Sequence, residues 1–301
     1  MKAGLGIMGL LAGAAVLAGC TSARVGQPAV DIVLHDLAGS ALASYEQGDV
    51  ERAAQLFERA RDRARLVGDS PESARNAYNL ALCRLAQGRP AQARVLLAEA
   101  RAGLPPRGAE AARLCLAEAQ AARQDGKPEE AVQAAQHALD IGADQSGRAQ
   151  ARLELAMAAC DSNNAVAATR LLAAARSDLG PAAAPLLHAR AERIAARLAE
   201  QDGAAAATAV AREREAQWLR QAGNYRDMAR SLAAAGESFR KADQPRRAFP
   251  CLMTAAGSLK AGGAVTEAQA AAAGAAAAAR DAGEKDWAAA ADALVAELRK
   301  P

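Results

Sequence analysis

Five cysteines and three histidines are the residues of this 301-residue chain with the most chemistry to offer. Cys83, Cys115, Cys160 and Cys251 form no Cys-x-x-Cys pair, and His35, His137 and His188 are scattered, so the order of the chain spells neither a dithiol redox motif nor a zinc site. Thiols spaced in this way read as small hydrophobes on helices. There is no phosphate loop ending in Lys and Ser or Thr, no His-Glu-x-x-His, no Gly-x-Ser-x-Gly elbow, and no dinucleotide fingerprint following a strand. Acidic pairs such as Glu129-Glu130 open helices, where the positive end of the dipole favours them without any catalytic role. The expectation is a protein that is not an enzyme, with no metal, no bound cofactor and no small-molecule substrate. Cys20 is set apart from the other thiols because it directly follows an apolar run.

The elements that would position these residues are helical. Alanine dominates, aromatics make up 3% of the chain, and the formal net charge is only +3, which suits closely packed helices and argues against a nucleic-acid partner. Turn residues recur at Gly48, Gly88, Gly126, Asn163, Gly203, Asp243 and Gly283, at intervals of 37 to 40 residues. A second series at Gly68, Gly108, Gly142, Gly180, Gly223 and Gly263 falls midway, dividing each unit into two helices of comparable length. Seven residues before each main turn the side chain is small: Ala41, Ala81, Ala119, Ala156, Ala196, Gly236 and Ala276. Twelve after it stand Ala60, Ala100, Ala138, Ala175, Glu215, Ala255 and Val295. Small groups at these spacings let two helix axes approach closely. The alanine-rich run Ala264 to Ala279 is too polar and too short for a membrane span and is read as a helix hairpin. Trp218 and Trp287 read as core groups of the late repeats, Trp287 helping to cap the last one.

The N-terminus carries an address. Met1-Lys2, the apolar stretch Ala3 to Val16 and Leu17-Ala18-Gly19-Cys20 resemble the signal and lipobox of bacterial lipoproteins. The resemblance implies a signal peptide at 1–19, cleavage before Cys20, and a diacylglycerol and an N-acyl lipid (palmitate) on that residue. Residues 20–34 would then be a lipid-anchored tether. Thr21, where an Asp would suggest inner-membrane retention, favours the outer membrane facing the periplasm.

Within residues 35–301, Tyr45-Glu46-Gln47-Gly48-Asp49 and Gln124-Asp125-Gly126-Lys127-Pro128-Glu129-Glu130-Ala131 resemble the tetratricopeptide repeat consensus. The implied fold is all-α: an α-solenoid of about seven tetratricopeptide-like helix-turn-helix repeats with a roughly 40-residue period. In that family the first helix of each hairpin lines a concave groove that holds other proteins. The implied groove comprises Arg75, Tyr78, Asn79, Leu82 and Leu85, then Arg113, Leu116, Gln120 and Arg123, then Leu153 and Met157. Arg190, Arg193 and Arg197, at helical spacing, would extend it as an acid-binding stripe. Together these features point to a lipid-anchored periplasmic scaffold or adaptor that binds protein partners in envelope assembly, secretion or pilus biogenesis. The alternative is an accessory lipoprotein for polysaccharide export or for peptidoglycan synthesis and remodelling.

Overall fold

The computed structural model describes residues 31–180 and 183–299, so the expected signal peptide, Cys20 and most of the tether lie outside the described residues. Fourteen helices and no strand occur among the described residues. They are α1 (Ile32–Glu46), α2 (Val50–Leu66), α3 (Ser70–Ala86), α4 (Pro90–Gly103), α5 (Ala109–Gln124), α6 (Pro128–Asp140) and α7 (Gln145–Asp161). The second half continues with α8 (Ala165–Asp178), α9 (Pro185–Gln201), α10 (Ala205–Gln221), α11 (Tyr225–Lys241), α12 (Pro245–Ala261), α13 (Val265–Asp281) and α14 (Lys285–Leu298). Each helix packs on the next in the chain, and odd-numbered helices also touch across hairpins, α3 on α5, α5 on α7, α7 on α9 and α11 on α13. The result is a helical solenoid of tetratricopeptide-like repeats.

The turns explain the period. At the end of α1 the Asp49 N–H donates to Ser44 O and the Gly48 N–H to Tyr45 O, both at 3.0 Å, a Schellman arrangement that satisfies the last carbonyls of the helix. The residue after the turn then starts the next helix: the Asp49 and Asn164 carboxylate and amide oxygens accept the N–H groups of Arg52 and Ala167. The arrangement requires a left-handed residue in the middle. Asn163 (φ 57°) and Asp243 (φ 54°) adopt it without being glycine, as their places in the turn series imply. Gly180 departs from the second series and is not left-handed.

The small-residue columns lie in the core. Ala41, Ala81, Ala119, Ala156 and Ala196 are fully buried, as are Ala60, Ala100, Ala138, Ala175 and Ala255. Larger groups fill between them, with Phe57, Leu80 and Leu97 in one cluster and Leu153, Leu172 and Ile194 in another. The run Ala264 to Ala279 is not a hairpin. It forms the single helix α13, because Gly274 keeps helical backbone and serves as a contact point for Leu252 of α12 instead of as a break.

Candidate interaction surface

Four of the first helices, α3, α5, α7 and α9, converge on a cleft of about 360 Å³. Tyr78 and Leu82 enter it from α3, Arg113, Leu116 and Gln120 from α5, and Arg190 from α9, all of them implied groove residues. Met157, near the end of α7, stays partly exposed and packs against the same core as Ile194. Arg75 and Asn79 line a smaller hollow of about 180 Å³ beside it, with Tyr78, Leu104, Glu110 and Arg113. Burial raises the pKa of the Tyr78 phenol, and Arg113 partly offsets this, so the ring offers a neutral hydroxyl to the cleft.

Two implied leucines are core residues and do not face the groove. Leu85 is buried among Phe57, Leu96 and Leu97, and Leu153 is fully buried with Leu172 and Ile194. An inner helix of a solenoid is flanked by its own hairpin partner and by both neighbouring hairpins, so only a narrow arc of it reaches solvent. On α7 the cleft is lined by Ser146, Gln150 and Glu154, the last nearly buried and one position on from Leu153. The implied groove took Leu153 and Met157 from α7 and omitted Gln150 and Glu154, because spacing from the turns does not fix how the helix is rotated. Leu116 lines the cleft but is itself nearly buried, so it forms floor and not wall.

The arginines are not a free acid-binding stripe. Arg123 of α5 donates to Glu154 of α7 at 3.1 Å, and Arg190 of α9 hydrogen-bonds the other oxygen of the same carboxylate. Arg113 meets Asp144 at 3.1 Å, Arg197 meets Asp161 at 3.3 Å, and Arg75 meets Glu72 at 2.6 Å. Arg193 turns away from α7 to Glu215 of α10. The Arg123, Arg190, Arg113 and Arg197 pairs tie successive hairpins together, whereas Arg75–Glu72 lies within α3 and Arg193–Glu215 within one hairpin, and the pairing leaves the cleft close to electrically neutral. The carboxylates had to come from the neighbouring hairpin, a distance of 31 to 36 residues along the chain.

All four described cysteines are buried and free. Burial pushes the thiols up, Cys83 to about 11 and Cys251 to about 12, the latter helped by the Glu213 carboxylate. They are therefore protonated and poorly nucleophilic at neutral pH. Trp218 stacks on His188 with centroids 4.3 Å apart, and Trp287 of the last hairpin stacks on Phe249 at 4.6 Å. No helix among the described residues is long and apolar enough to cross a membrane.

Residues 33–105 match the tetratricopeptide repeat family. The match covers the first two hairpins, and the fold of the described residues is a solenoid of tetratricopeptide-like repeats. No curated protein matches the chain. Among solved structures, a STAND signal-transduction ATPase with a tetratricopeptide repeat sensor from Pyrococcus horikoshii is 15% identical at a TM-score of 0.52. The alignment covers 84% of this chain and 43% of that one, so the solenoid spans less than half of the archaeal protein. A tetratricopeptide repeat protein from Parabacteroides merdae is 12% identical at a TM-score of 0.48, with 89% and 100% of the two chains covered. At such identities the likeness concerns the fold. Tetratricopeptide repeats mark a protein–protein interaction scaffold, and the fold is typically non-catalytic.

Proposed function

We propose that this tetratricopeptide solenoid is a lipid-anchored adaptor on the periplasmic face of the outer membrane, where it holds a protein partner in envelope assembly, secretion or pilus biogenesis. The observation that carries the reading is the cleft across α3, α5, α7 and α9, with Tyr78, Leu82 and Leu116 on its apolar side and Gln120 and Gln150 among its polar groups. Its charges are already paired, so the partner it suits is an extended or helical segment with apolar anchors and a hydrogen-bonding backbone. The Leu17-Ala18-Gly19-Cys20 sequence supports the anchor and the compartment.

The test is crosslinking in living cells from a photoreactive residue placed at Leu82 or Gln120, with Gln133 as an exposed control on α6. Capture of one envelope protein from the cleft positions and not from Gln133 is the expected result. Equal capture from all three positions, or none from the cleft, would remove the cleft as the binding surface. Cys20→Ala should release the protein from the outer-membrane fraction.

A further inference from the structure

We propose that the open tip of the first hairpin, formed by the start of α1 and the end of α2, is a membrane-contact surface that rests on the lipid headgroup region. The inference builds on the lipid anchor proposed above. Four large apolar side chains are exposed there: Ile32 at 72%, Val33 at 55%, Leu66 at 80% and Val67 at 45%. These are four of the eleven large hydrophobic side chains exposed among the described residues, concentrated at one end of one hairpin. Their proximity is fixed by an ion pair across the tip, in which Arg63 in the last turn of α2 donates to a single carboxylate oxygen, Oδ2, of Asp31, the N-cap of α1, from Nε at 2.9 Å and Nη2 at 2.7 Å.

Charge narrows the choice of occupant. Asp31 and Arg63 satisfy each other, and Arg65 meets Glu99 at 2.7 Å, so these ionic groups beside the apolar patch are committed within the chain. Such a surface offers a protein partner little electrostatic guidance, yet apolar side chains with paired charges behind them suit the headgroup boundary of a bilayer. Chain length narrows it further. Ile32 lies twelve steps along the chain from Cys20, at most about 40 Å when extended and about 20 Å as a flexible chain. The far end of the 17-residue α2 lies a further 25 Å or so away. An anchor at Cys20 therefore joins the solenoid at this tip and keeps it within about 40 Å of the lipid, whereas the opposite end of the hairpin is held only through the length of the helices. Leu186, Tyr225 and Val265, exposed at the starts of later first helices, lie on the same edge of the repeats.

The experiment uses the full-length protein purified from membranes, carrying Val67→Cys or, on α8, Val166→Cys, each labelled with an environment-sensitive fluorophore. The described native thiols are buried, so labelling at neutral pH selects the introduced one. Intact mass reports the lipid on Cys20. In phosphatidylethanolamine–phosphatidylglycerol vesicles, spin-labelled lipid should quench the probe at 67 at least twofold and leave the probe at 166 unchanged. Ile32→Glu with Leu66→Glu should abolish that quenching while the circular dichroism stays helical. A lipidated protein whose probe at 67 is unquenched overturns the membrane contact and leaves the anchor standing. A blue-shifted but unquenched probe means that a second copy or another protein covers the patch, and overturns it equally. Absence of lipid from Cys20 overturns the anchor and the contact together.

Discussion

Arg193 on α9 donates from Nε to Glu215 on α10 at 2.6 Å, and the carboxylate it meets is 0% exposed. Arg212 holds the other oxygen at 2.9 Å. Glu215 stands in the column where five other repeats carry alanine and the last carries Val295, so a position that departs from the repeat pattern buries an ion. Both arginines retain a path to water, whereas Glu215 does not. Changing Arg193 and Arg212 together to Ala should therefore cost about 3 to 5 kcal/mol by leaving the carboxylate buried and unpaired. Glu215→Ala should cost clearly less. Urea unfolding of the three proteins decides the order, and an E215A variant less stable than the double arginine variant would contradict it.

Gly236 occupies the small-residue column on α11, and a Cβ there would overlap Leu252 of α12 and crowd the Ala248 carbonyl. Helix propensity alone predicts that Gly236→Ala gains about 1 kcal/mol. Overpacking should outweigh that gain and give a net loss of about 1 to 2 kcal/mol. Adding Leu252→Ala should make the change at 236 much less harmful, a non-additivity readable from a thermal double-mutant cycle.

The left-handed turn residues predict a second, smaller effect. Asn163→Ala should lower stability by about 1 kcal/mol, because alanine resists φ 57° and cannot support the conformation with a side-chain amide. Asn163→Gly should leave it nearly unchanged. Differential scanning calorimetry of the two variants would show the split, and equal melting temperatures would refute it.

Stability should also fall at both ends of the pH scale, for opposite reasons. The Cys83 and Cys251 thiols, raised to about 11 and about 12, stay protonated in the fold while an unfolded thiol ionises near 9, so their contribution is intact below pH 9 and is lost as pH rises toward 11 and 12. On the acid side, Asp31 is lowered mainly by Arg63, Asp144 mainly by the Gly147 N–H, and Glu267 mainly by Arg230. Their contribution is present above the ordinary carboxylate range and disappears as pH falls below about 4. Denaturation midpoints measured from pH 3 to pH 11 should trace a plateau with two falling edges. Cys83→Ala should soften the alkaline edge.

The periodic features were legible in the sequence because each is local or is repeated. Turn residues such as Asn163 and Asp243 declare themselves by what a left-handed backbone tolerates, and the alanine columns by the close approach of helix axes. Those two signals determined an all-helical repeat fold, its phase, and the general side on which a groove would open. Tertiary structure decided what the groove is. Leu153 and Glu154 are neighbours in sequence, yet one is sealed in the core and the other faces the cleft, a choice set by how α7 rotates between α5 and α9. Whether Arg123 and Arg190 are free to bind an acid likewise depended on a carboxylate more than thirty residues away. Periodicity fixes the order of helices along the chain, but helix rotation and ion pairing depend on packing against neighbours distant in sequence, and only the assembled solenoid brings those together.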